Sequence, residues 1–71
     1  MSWSKSVYST MASEIAYDDD EQSMIVTWKN GRRTAYVGVP EDVADAVANA
    51  PSVGSMINDE IKPNYDYKNL S

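Results

Sequence analysis

The sequence predicts an α+β domain: a small three-stranded antiparallel meander followed by two short helices packed on one face. Three observations carry that prediction. Asn30-Gly31 sits between two apolar-rich runs in the stretch from Met24 to Pro40, MIVTWKNGRRTAYVGVP, and both residues accept the positive φ angles of tight hairpin turns. Upstream, Met11, Ile15 and Tyr17 recur at even spacing, the period of a half-buried strand. Downstream, Val43, Ala46, Val47 and Ala50 fall at i, i+3, i+4 and i+7, the period of a helix with one apolar stripe.

Residues 1–8 hold Trp3, Val7 and Tyr8 among serines, and read either as a frayed arm or as a strand extension pinned by its aromatics. The first strand runs from Thr10 to Asp18, with Met11, Ser13, Ile15 and Tyr17 on one face. Asp18-Asp19-Asp20-Glu21-Gln22 is too polar for a strand interior and rich in residues that cap turns with their own side chains, so it forms the first reverse turn. Its four consecutive acids lack the alternating ligands, central glycine and distal glutamate of a calcium loop, and no metal site is expected.

In the second strand Met24, Val26 and Trp28 alternate with Ile25, Thr27 and Lys29. The third, Arg33 to Val39, admits two registers. A two-residue Asn30-Gly31 turn sets Tyr36 beside Ile25 and Thr27, and gathers Ala35, Val37 and Val39 with Met24, Val26 and Trp28. A three-residue loop, Lys29-Asn30-Gly31 with Gly31 left-handed, joins Tyr36 to Met24 instead. The first register makes the cleaner apolar face and is the preferred expectation.

Pro40 ends that strand for want of a backbone donor, and Glu41-Asp42 place negative charge where a helix macrodipole favours it. The first helix closes at Ala50-Pro51. Ser52 reads as the N-cap of a second, with Val53, Met56, Ile57 and Ile61 as its apolar stripe and Asp59, Glu60 and Lys62 on its wet side. Gly54 in its first turn costs about 1 kcal/mol of helix propensity, which implies close packing or a non-helical entry. Pro63-Asn64 ends this helix, and residues 67–71 either pack back on the sheet or fray.

The chain reads as one domain over residues 1–71, and at that size it buries only about 60% of the surface of its unfolded form. It has no cysteine and no histidine, which removes disulfides, the usual zinc sites and His-based triads. No run approaches the roughly 20 apolar residues of a membrane span or the apolar core of a signal peptide, so a cytoplasmic protein without membrane contact is expected. The formal charge of −5 argues against a general polyanion binder. The distribution is uneven, however: three of the six cations, Lys29, Arg32 and Arg33, flank the hairpin tip.

Five pieces stand in order along the chain: Ile15-x-Tyr17-Asp18; Met24-x-Val26-x-Trp28-x-x-Gly31; Tyr36-x-x-Val39-Pro40; Ala50-x-Ser52-x-Gly54; and Asn58-x-x-Ile61-Lys62-x-x-Tyr65. Together they resemble the KTSC domain, a small family found as stand-alone bacterial and phage proteins and at the C-terminus of some lysyl-tRNA synthetases. The likeness spans roughly residues 9–66. It implies a fold and a context: fusion to tRNA synthetases suggests RNA, and stand-alone forms suggest accessory proteins of phage or prophage. The chain departs from the pattern at Thr34 and at Met56-Ile57, where relatives usually carry aromatics.

Two functions follow from these readings, with no cofactor and no enzymatic activity in either. One is weak binding of single-stranded nucleic acid through Lys29, Arg32, Arg33, Thr34 and Tyr36, since cations beside rings hold phosphates while the rings stack bases. The other is docking on a host or virion protein through Trp3, Tyr8, Tyr65, Tyr67 and Leu70 near the chain ends. Aromatics beside the arginines favour the first, and aromatics clustered elsewhere favour the second. The protein is expected to be a monomer or a weak dimer through an open sheet edge.

Overall fold

A computed structural model of the chain describes residues 2–70. Five strands form one antiparallel sheet in sequence order: β1 (Trp3–Ser6), β2 (Ala12–Asp18), β3 (Ser23–Trp28), β4 (Arg33–Val37) and β5 (Tyr67–Asn69). Between β4 and β5 come helix α1 (Glu41–Ala48), the single helical turn α2 (Val53–Met56) and a π-helical turn over Ile57–Ile61. Ile15, Tyr17, Met24, Val26 and Tyr36 form the inner face of the sheet, and they are buried in one cluster with Ala44, Val47, Val53, Ile57 and Ile61 from the helical layer. Among the described residues no helix is long and apolar enough to cross a membrane.

The α+β class holds, but the three-stranded meander is overturned: the sheet has five strands. The additional two come from the terminal segments expected either to pack or to fray. Each is three or four residues long and almost wholly exposed, so neither has the alternation of buried and exposed positions that marks a strand in sequence. They are held by ladder hydrogen bonds to an existing edge and by a few side chains. Trp3 stacks on Tyr17 with ring centroids 6.0 Å apart. Its indole N–H donates to Glu41 Oε2 at 3.1 Å, and Lys5 Nζ donates to Asn49 Oδ1, so β1 is tied to both ends of α1.

The hairpin between β3 and β4 takes the three-residue loop, against the preferred register. Trp28 N–H donates to the Arg32 carbonyl at 2.8 Å, Gly31 N–H returns to the Trp28 carbonyl at 2.9 Å, and Gly31 has φ +88°. Met24 therefore stands opposite Tyr36, and Val26 opposite Thr34. Ala35 and Val37 fall on the outer face beside Ile25. Val39 still reaches the core, because Gly38 at φ +76° turns the chain inward after β4. Gly31→Val should cost roughly 1 kcal/mol or more, since a β-branched residue resists positive φ; an unchanged thermal midpoint would refute the loop geometry.

Three further expectations shift. A bulge between Ala12 and Glu14 changes parity at the start of β2, so that Ala12 is fully buried while Met11 lies exposed. The stripe of α1 is rotated, burying Ala44, Val47 and Ala48 and leaving Ala46 in solvent. Ser52 makes no side-chain cap to α2. Gly54, by contrast, is a close approach: a Cβ there would meet Met11 Sδ at 3.2 Å and Ser9 Oγ at 3.4 Å. The acidic run is spent on its own turn, with Asp18 Oδ1 accepting from the N–H groups of Asp20 and Glu21.

The π turn has a local cause in Pro63. An α-helix continued through that residue would drive its ring into the Asp59 carbonyl. The helix instead widens just before it, with Lys62 N–H reaching back five residues to the Ile57 carbonyl at 2.9 Å. Ile57 and Ile61 keep to the core, and Lys62 is carried out beside the sheet edge.

Candidate nucleic-acid interface

At the end of the sheet where the hairpin closes, a cleft of roughly 480 Å³ opens between β4, β5 and the end of the π turn. The loop geometry builds its floor. Trp28 and Arg32 are the closing residues of the hairpin, and Thr34 and Tyr36 follow on the same face at intervals of two. Strand β5 supplies the facing wall, with Asn69 opposite Thr34 and Tyr67 opposite Tyr36. Lys62 completes it, its Nζ 5.8 Å from the centroid of the Trp28 ring.

The polar groups of the floor are engaged with one another. Trp28 Nε1 donates to Thr34 Oγ1 at 3.0 Å, and that hydroxyl donates to Asn69 Oδ1 at 3.3 Å. This chain fixes the indole plane and ties β5 to the hairpin. The Tyr36 and Tyr67 rings meet at 6.4 Å, tilted by 51°. Tyr36 is buried, whereas Tyr67 is 66% exposed. Burial pushes the Tyr36 phenol above its ordinary value of 10, with a smaller push from Tyr67 beside it, so it stays neutral at physiological pH.

Charge decides what the cleft can hold. Among the described residues its lining includes two cations, Arg32 and Lys62, and no carboxylate, in a chain that is acidic as a whole. No lysine or arginine occurs between Thr34 and Ile61, a stretch containing Glu41, Asp42, Asp45, Asp59 and Glu60. Five of the chain's eleven acids thus lie with the helical layer, on elements whose carboxylates do not line the cleft.

Of the five residues singled out from sequence, the structure brings Arg32, Thr34 and Tyr36 into this cleft. Arg33 pairs with Thr27 and faces the other side of the sheet, and Lys29 sits in the loop with its N–H bound to the Met11 carbonyl. The cleft also holds Lys62 and Asn69, which the sequence reading does not single out, and Tyr67, which it assigns to a protein partner. The signals were present: Lys62 is the first cation after a long acidic stretch, and Tyr67 and Asn69 are two apart, as strand neighbours are. Without β5 there was no wall on which to place them.

A family model for the KTSC domain matches residues 8–65. The chain belongs to the KTSC domain family. Among solved structures it is similar to the crystal structure of a KTSC domain protein from Yersinia pestis, with 22% identity, a TM-score of 0.88 and 100% of both chains covered. At that identity the likeness establishes the fold alone. No curated protein matches the chain. The stretch matched by the KTSC model contains β2 to β4 and the helical layer, whereas β1 and β5 lie outside it. The cleft of this KTSC domain is thus assembled from matched residues, Trp28 to Tyr36 and Lys62, and from two on an edge strand beyond the match.

Proposed function

We propose that this KTSC domain is a small non-catalytic binding module that holds single-stranded nucleic acid weakly in the cleft between β4, β5 and Lys62. The observation that carries the reading is the meeting of Trp28, Tyr67, Arg32 and Lys62 around one opening with no carboxylate among them. Bases are held by stacking on exposed rings, and Tyr67 offers such a surface; phosphates are held by cations, and Arg32 and Lys62 flank it. Two such cations make a weak, salt-sensitive contact. A non-catalytic role is supported by the chemistry of the lining, where no histidine, cysteine or carboxylate stands to exchange a proton near neutral pH.

An amide-shift titration with short single-stranded RNA and DNA oligonucleotides, at low and moderate salt, tests the reading. Shifts are expected at the Trp28 indole and along residues 32–36 and 67–69, fading as salt rises. Tyr67→Ala should cost about 1–3 kcal/mol of binding, the worth of one stacked base. Arg32→Glu with Lys62→Glu should abolish the shifts, and the neutral pair Arg32→Gln with Lys62→Gln should flatten the salt dependence by roughly 1.4 log units per log unit of salt, 0.7 for each lost single-strand phosphate contact. No shifts at low salt, or shifts confined to other surfaces, would overturn the proposal and return the partner question to proteins.

A further inference from the structure

A second groove, of roughly 690 Å³, lies on the helical side of the molecule. Its floor is apolar: Val43 and Ala46 of α1, Met56 of α2 and the Tyr65 ring line it. Val43, Met56 and Tyr65 are only half-buried against the core, and Ala46 is open to solvent. Its rim is anionic, formed by Asp42, Asp59 and Glu60, and among the described residues no lysine or arginine lines it. The groove therefore combines uncovered apolar surface with carboxylates that no cation of its own lining answers.

We infer that this groove docks a short cationic amphipathic segment of a partner polypeptide. The anionic rim repels nucleic acid, so the groove is a different site from the basic cleft and the inference stands apart from the function proposed above. A purely ionic partner would leave the floor of Val43, Ala46, Met56 and Tyr65 in water. A second copy of this chain fits poorly: its cations lie on strands, on the hairpin loop and after the π turn, and none lies on α1, so it presents no helix that carries cations beside an apolar stripe. A helical segment with apolar residues at i, i+3, i+4 and i+7 and lysines or arginines beside them meets both requirements at once. The eight residues of α1 span about 12 Å, enough for roughly two turns of such a segment. The apolar floor supplies affinity, and the rim sets orientation and rate of encounter.

The probe is a synthetic 14-residue peptide of leucine and lysine with the leucines at helical spacing. Its controls are a scrambled peptide of the same composition and a version with glutamate in place of lysine. Amide-shift titration of the full chain should give saturable shifts at Val43, Ala46, Met56 and Tyr65 with the amphipathic peptide. The scrambled peptide should bind at least tenfold more weakly, and the glutamate version not at all. Asp59→Lys with Glu60→Lys should reduce affinity about tenfold or more, and Ala46→Tyr should block the floor. All three positions are exposed, and the free variants' spectra report folding directly. The inference is overturned if the scrambled peptide binds equally well with the same footprint, or if shifts are absent or fall elsewhere. It is also overturned if sedimentation shows the chain self-associating in a way that Asp59→Lys with Glu60→Lys abolishes, since a second copy would then be the occupant.

Discussion

Val47→Asp is expected to leave the domain unfolded at 25 °C. Val47 is fully buried on the face of α1 that joins the core cluster. A carboxylate there must either ionise without a partner or take up a proton, and either choice costs several kcal/mol on top of the lost packing. A chain of this length has a total stability of roughly 4–10 kcal/mol, so the substitution consumes most of it. Ala46→Asp, one residue away, should cost about 0.5 kcal/mol or less because Ala46 is exposed. Circular dichroism melts of the two variants separate the rotated stripe of α1 from the one expected from spacing. Equal destabilisation would mean that Ala46 also faces the core.

Tyr17→Ala should cost about 3–5 kcal/mol, the range for emptying a buried aromatic site. The ring is 3% exposed and stacks on Trp3, and its hydroxyl donates to the Val39 carbonyl at 2.8 Å within the core. Tyr17→Phe keeps the packing and strands that carbonyl, for about 1–3 kcal/mol. The two variants also differ from the native chain at alkaline pH. Burial, and then the carboxylates of Asp19, Glu41, Asp42 and Asp18, push the Tyr17 phenol above 10. Below pH 10 the phenol is protonated in both folded and unfolded chains and contributes no pH dependence. Above it the unfolded chain releases the proton while the folded chain retains it, so stability falls as pH rises. Denaturant midpoints measured from pH 8 to 11 should fall more steeply for the native chain than for Tyr17→Phe. Parallel profiles would show that Tyr17 titrates normally.

What could be read from sequence divides along physical lines. β2, β3 and α1 announce themselves because burial on one side imposes a period, and Ile15, Tyr17, Met24 and Val26 keep it. β1 and β5 are not marked in the sequence because strands of three or four exposed residues carry no such period. The register of β4 turned on whether Gly31 served as one of two turn residues or as the last of three, and the apolar tally favoured the wrong answer. That tally gave weight to Ala35 and Val37, whereas the inner face instead takes Thr34, satisfied by the Trp28 indole and Asn69, and Tyr36. A buried hydroxyl with its partners in place looks like a surface residue in sequence. The candidate cleft is the least legible part, since three of its seven lining residues, Lys62, Tyr67 and Asn69, depend on β5 and on the π turn that delivers Lys62.

The meander order bears on how the molecule assembles. Strands β1, β2 and β3 each pair with the next in sequence, so their ladders close across loops of a few residues and lose little chain entropy. The hairpin around Gly31 can form in about 1–10 μs. β5 alone must return across the whole helical segment before it finds β4, and its three residues are exposed. It is therefore the last strand to dock and the first to detach. Amide exchange should be fastest in residues 67–70 and slowest in β2 and β3. Tyr67 and Asn69 belong to that strand, so its detachment removes one wall of the cleft while the core remains intact.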